Sequence, residues 1–152
     1  MDHGDGNAAA LDRLSREHLA LLDRCADLQR RAHLDAHDAA TAVLDLELLP
    51  LLEAHVHKED RGLFAQLRLT SDLLSRYASS RPQVASLADT IRRGDGGWRL
   101  AVAQLTEALA DQVALEEVAL FPAARRTLTP AQWHRVELAH DALERRAPAI
   151  HG

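Results

Sequence analysis

Two stretches of the chain align on one another at an offset of 57 residues. Leu48, Leu52, Val56, Glu59, Asp60, Leu63 and Phe64 fall on Leu105, Leu109, Val113, Glu116, Glu117, Leu120 and Phe121. In each copy the apolar positions recur at three- and four-residue steps, which marks a helix with one buried stripe. Glu59 and Glu116 lie on those stripes. A carboxylate placed there is costly unless a cation or a proton accompanies it. His55 stands four residues before Glu59, one turn away on the same face. One helix therefore offers an imidazole nitrogen and a carboxylate oxygen to a single point, as a first-row transition metal requires. The second copy departs at one position that matters chemically, with Gln112 where His55 predicts a histidine.

The rest of the sequence agrees with a helical reading. Ala and Leu dominate and aromatics make up only 3 %, so residues that favour strands are scarce. A length of 152 residues suits one domain with one core. The net charge of −5 comes without a basic block, which excludes nucleic acid as the main partner. No apolar run is long enough to span a membrane, and the acidic N-terminus does not read as a leader. The lone Cys25 has no internal partner for a disulfide. It reads as a small core residue in a reducing, cytoplasmic setting. Lys58 is the only lysine among many arginines, which reads as genomic bias.

Five helices are expected. Residues 1–8 and 148–152 read as disordered ends of one bundle domain over 9–147. The first helix runs from about Ala9 to Ala32, with Leu11, Leu14, Leu21, Leu22, Cys25 and Leu28 on its apolar stripe and His18 among them. The second runs from about His37 to Leu69 and is kinked at Pro50, with Asp35 or Asp38 as its cap. Thr70 to Arg93 is the least regular stretch. Ser71 or Asp72 caps a helix there, and Pro82 breaks or bends it. Gly94-Asp95-Gly96-Gly97 is a loop. A long helix follows from Trp98 to Arg126. A short one opens at Thr129-Pro130, with Thr129 as cap. The fold class is all-α, an up-down-up-down four-helix bundle of two helical hairpins plus a short C-terminal helix.

Counted from the first turn, His18 and His55 fall at matching levels to within about two turns. Glu116 joins them through the repeat and faces Glu59. A lone histidine on a helix is more often a polar edge residue than a ligand. Four such donors on apolar stripes within an internal repeat favour a metal.

Arg16-Glu17-His18-Leu19, then His55-x-x-x-Glu59-Asp60-x-x-Leu63-Phe64, then Glu116-Glu117-x-x-x-Phe121-Pro122, together resemble the hemerythrin-like, or HHE cation-binding, domain over about residues 10–125. The resemblance implies a bundle of two hairpins and non-haem iron, one or two ions. In the family a histidine, then His-x-x-x-Glu, then the same again hold the ions, and the two glutamates bridge them. Carried over by position, His18, His55, Glu59 and Glu116 are metal ligands. Gln112 replaces the fourth-helix histidine, and the third helix has no histidine at all. Tyr77, the only tyrosine, is the best stand-in there, although a core tyrosine with a hydrogen-bonded hydroxyl is the simpler reading. His140 on the last helix is the remaining candidate if it folds back over the end of the bundle. Otherwise it reads as a surface residue, as does His134. His57 should face away from His55, and His33 and His37 look exposed beside a turn.

Three functions follow as expectations. The first is an asymmetric non-haem iron centre, most simply a diiron one, that binds or reacts with O2, peroxide or NO, with oxidase or peroxide-consuming chemistry open to it. The second is a metal or gas sensor or storage module read by a partner protein or within a homodimer. The third is a metal-free scaffold derived from the family. Hydrogen bonds to the outer nitrogens of His18 and His55 are expected to fix their tautomers, by partners the sequence does not name.

Overall fold

A computed structural model describes residues 4–146 as five helices, with no strand among the described residues. They are α1 (Gly4–His33), α2 (residues 37–66), α3 (Ser71–Arg93), α4 (residues 98–127) and α5 (Pro130–Arg146). Residues 4–8, expected to be irregular, lie in the first turns of α1. The rest of the expected irregular ends, with His3 and His151, falls outside the described residues. The fold is the expected bundle of two hairpins. α1 packs against both α2 and α4, and α3 packs along α4. α2 and α3 touch only sparsely. α5 crosses the end of the bundle, lying on α2 and α1.

Apolar side chains fill two separate layers. One, toward the α1–α2 and α3–α4 turns, holds Leu21, Leu28, Leu44, Leu48, Ile91 and Leu105. The other, beneath α5, holds Leu11, Leu14, Leu63, Phe121, Trp133 and Val136. On α1 the gap between the layers is the turn that carries His18. On α2 it carries His55 and Glu59, and on α4 it carries Glu116. The bundle thus has a polar belt at mid-height with apolar packing on either side.

α2 stays in one piece through Pro50, but not by a simple kink. Residues Leu44–Leu48 form a widened π-helical turn in which the N–H of Leu49 donates to the carbonyl of Leu44. A proline ring clashes with the carbonyl four residues back, here that of Leu46. Opening that turn by one residue relieves the clash. α4 repeats the device at Glu116–Leu120, where Pro122 stands in the same register. A third widened turn, Glu59–Leu63, has no proline after it. It contains Gly62, against which the His140 ring of α5 is seated. Two of the three widened turns begin on the belt carboxylates Glu59 and Glu116.

Other local expectations are corrected. α3 is one unbroken helix. Pro82 and Ala78, whose carbonyl loses its helical donor, are both exposed, so water serves that carbonyl. Its cap is Thr70, whose hydroxyl accepts from the N–H of Leu73 at 3.2 Å, not Ser71 or Asp72. α2 ends at Gln66, short of Leu69. It has no side-chain cap, and Asp35 instead takes a left-handed turn conformation at φ 55°. His37 is half-buried, with Nε2 2.7 Å from the carbonyl of Ile91 and its ring edge-on to Trp98, so it ties the two hairpin turns together. His33, His57 and His134 are exposed as expected. Thr129 caps α5 as expected. Its hydroxyl accepts from the N–H of Gln132, and the Gln132 side chain accepts from the N–H of Thr129.

A Cβ at position 62 would lie 2.6 Å from Cδ2 and Nε2 of His140. That ring is fully buried and cannot swing aside. Gly62→Ala is expected to cost about 1–3 kcal/mol through overpacking and to loosen α5. Urea unfolding with Trp133 fluorescence reads both effects.

Candidate metal centre

The belt brings together four of the residues singled out in the sequence. His18 comes from α1, His55 and Glu59 from α2, and Glu116 from α4. Each is at most 2 % exposed, and one donor atom from each lies within 4.8 Å of all the others. His18 Nε2 is 2.7 Å from Glu116 Oε1. His55 Nε2 is 3.5 Å from that same oxygen and 3.1 Å from Glu59 Oε2. The ring of His18 stacks on Phe121 at 5.3 Å between centroids, so the apolar layer below fixes its plane. Glu59 Oε2 has no hydrogen-bond partner even though His55 Nε2 is so near, because the two are not aligned for one. A fully buried carboxylate oxygen without a partner, facing two imidazole nitrogens, fits a cation among these donors.

The charges within the belt point the same way. Burial pushes the Glu59 carboxyl well above its ordinary range, and the neighbouring Glu116 carboxylate adds to this. Burial acts on Glu116 in the same sense, but hydrogen bonds from Glu59, His18 and His55 outweigh it and hold Glu116 strongly acidic. Burial opposes charging His55, yet hydrogen bonds to Glu116 and Glu17 and the nearby Glu59 carboxylate prevail and push it up to about 11. The chain without metal therefore keeps protons on donors that a cation would displace.

Surrounding residues orient these four. His55 Nδ1 lies 2.7 Å from Glu17 Oε1, leaving Nε2 to face the belt. Lys58 Nζ donates to Glu17 Oε2 at 2.5 Å and to Glu144 Oε1 of α5 at 2.9 Å. The Nδ1 of His18 is 3.7 Å from Glu117 Oε2, and the hydroxyl of Ser15 holds that carboxylate. Glu17 is thus the partner the sequence left unnamed for His55, while Glu117 lies near His18 Nδ1 without hydrogen-bonding it. Their signal was adjacency, since Glu17 precedes His18 and Glu117 follows Glu116. The lone lysine was also a signal: the bundle nearly buries Lys58 and uses it.

The other three candidates stand beside the belt in different roles. Gln112 turns its amide nitrogen to Glu116 Oε2 at 2.7 Å, and its oxygen accepts from the hydroxyl of Ser80 at 3.1 Å. It braces Glu116 and directs no oxygen at the belt. Tyr77 is buried, with its hydroxyl 3.1 Å from Asp60 Oδ1 and 3.4 Å from Glu59 Oε1, and Arg81 donates to it at 2.8 Å. Burial, then the charges of Glu59, Asp60 and Glu116, push the titration of that hydroxyl well up. His140 is not a surface residue. It is fully buried beneath α5 and donates from Nε2 to the backbone carbonyl of Lys58 at 3.1 Å. It lies outside the group of four converging donors.

Compared with known families, the chain matches the model of the hemerythrin HHE cation binding domain over residues 9–124. No curated protein and no solved structure matches it. The chain belongs to the hemerythrin HHE family. α5 lies beyond the matched residues, yet it reaches His55 through Glu144, Lys58 and Glu17.

Replacing Lys58 by Met leaves the Glu17 carboxylate half-buried without its cation. The expected loss is about 1–3 kcal/mol in urea unfolding. Adding Glu17→Gln should recover part of it, because the uncompensated charge is then gone.

Proposed function

We propose that this hemerythrin HHE domain holds one non-haem iron ion on His18, His55, Glu59 and Glu116, and that the centre binds or reacts with O2, peroxide or NO. The convergence of four buried donors, with Glu59 Oε2 lacking any other partner, carries this reading. Two imidazoles and two carboxylates are a mixed nitrogen and oxygen set suited to iron among the first-row metals. One ion is favoured over two because Gln112 turns an amide N–H to Glu116, and the Tyr77 hydroxyl is engaged with Asp60 and Arg81. A bound iron with four protein donors keeps coordination positions for a small exogenous ligand and supplies redox or Lewis-acid chemistry. The chain's own part is structural and electrostatic. Phe121 and the apolar layers exclude water, Glu17 fixes the tautomer of His55, and Gln112 with Ser80 fixes the rotamer of Glu116.

A sensing role through a partner is the second reading, and one observation favours it. The outer nitrogen of His55 connects through Glu17 and Lys58 to Glu144 on α5. A change at the belt therefore has a polar route to a helix on the outside of the bundle. Faster amide exchange in α5 on removal of metal would support this role, whereas exchange unchanged by metal would count against it.

Metal analysis on tag-free protein is expected to return one iron per chain. Loading should raise Tm by roughly 5–10 °C at a hundredfold excess over Kd. His55→Ala should lose both the metal and the rise, and Gln112→His should increase the stoichiometry. No metal after anaerobic ferrous loading would leave a bare scaffold and sink the proposal.

Metal uptake should also release protons. His55 holds its proton up to about 11 without metal, and a cation needs the deprotonated nitrogen. Apparent affinity is therefore expected to rise with pH, by roughly tenfold per unit between about pH 7 and 9 for one displaced proton. Calorimetry in buffers of different ionisation enthalpy checks this, and a pH-independent affinity would contradict it.

A further inference from the structure

The sparse contact between α2 and α3 leaves a cleft of about 460 Å³ between α2, α3 and α4. Its size falls within the range of small-molecule sites. The walls are mainly apolar, with Leu52 and Val56 from α2, Val84 and Ala85 from α3, and Leu109 from α4. Its polar lining includes Tyr77, Ser80 and Gln112. These three touch the belt. Tyr77 reaches Glu59, Gln112 donates to Glu116, and Ser80 donates to Gln112. An occupant of the cleft would therefore stand one side chain away from the two carboxylates.

The charges around the cleft decide which occupant it takes. Arg81 is committed to Asp60 at 2.6 Å, and Arg92 to Asp45 and Asp89 at 2.9 Å each. Both arginines are already neutralised by carboxylates, and Glu53 adds negative charge at the exposed edge. Ser80 keeps acceptor capacity, and the Gln112 amide has a second N–H beyond the one given to Glu116. The floor thus offers one donor and one acceptor without net charge, below walls that favour hydrocarbon.

We propose that this cleft is a binding site for a neutral organic molecule with an apolar body and one hydroxyl or carbonyl group. The polar group hydrogen-bonds Ser80 and Gln112, and the body lies along Leu52, Val84 and Ala85. The site does not depend on the metal reading, because its walls and floor are formed by the chain alone.

The test is a titration of the full-length, metal-free protein with cyclohexanol, followed by NMR. The side-chain amide of Gln112 and the methyls of Leu52 and Val84 are the reporters. Saturable shifts of all three are expected. Cyclohexanecarboxylate should bind at least about tenfold more weakly, because the arginines on the lining are already paired and Glu53 repels it. Ala85→Phe fills the cleft from its exposed wall and should abolish the shifts, with helicity and Tm kept. Ser80→Ala should weaken binding and keep the fold. Shifts that never saturate, a carboxylate analogue that binds as well, or an Ala85→Phe variant that binds unchanged would each overturn the proposal. Failure here would leave the iron reading standing, because no metal enters the experiment. Binding in a chain that takes up no iron would support the cleft alone.

Discussion

Everything in this bundle accommodates two carboxylates and two imidazoles buried at mid-height. Like charges that close together are tolerable only with protons or a cation between them. The surrounding structure is arranged accordingly. Glu17 holds the far side of His55, and Lys58 neutralises Glu17. Ser15 secures Glu117 beside His18. Gln112 holds one oxygen of Glu116 and turns the other toward the histidines. Most polar groups around the belt find partners in this way, and Glu59 Oε2 and the outer Nδ1 of His18 do not. Of the two, Glu59 Oε2 faces the imidazole nitrogens, so it is where a cation fits.

The two hairpins contribute unequally. α1 and α2 supply both imidazoles and a carboxylate, α4 supplies one carboxylate, and α3 supplies none of the four converging donors. What α3 lends is Tyr77, Ser80 and Arg81, which reach the belt through hydrogen bonds to Glu59, Asp60 and Gln112. The backbones of α3 and α2 approach only sparsely, and the cleft opens beside them.

Much of this was legible in the sequence because period and repeat report on buried faces. The apolar stripes located the helices, and the 57-residue offset put Glu116 opposite Glu59. Other features depend on which neighbour arrives in three dimensions. Pro50 announced a distortion, but whether the helix breaks or widens by one residue depends on packing that sequence spacing does not record. The cap of α3 fell on Thr70 instead of its neighbours because that residue takes extended backbone at the start of the helix. Lys58 looked like a statistical residue until Glu17 and Glu144, far apart along the chain, closed on it. His140 looked external because nothing in its own helix showed that Gly62 leaves room for an imidazole.

Dividing the core into two apolar layers has a consequence for how the molecule comes apart. Each helix from α1, α2 and α4 passes through both layers, so backbone continuity couples them, yet no apolar side chain bridges the belt itself. A protonated, metal-free belt is held by hydrogen bonds and the stacking of His18 on Phe121, which leaves it the weakest link between the two layers. An ion drawing ligands from three helices would act as a rivet through that seam. It would make the two layers a single cooperative unit, and occupancy of one small centre would set the rigidity of the whole bundle.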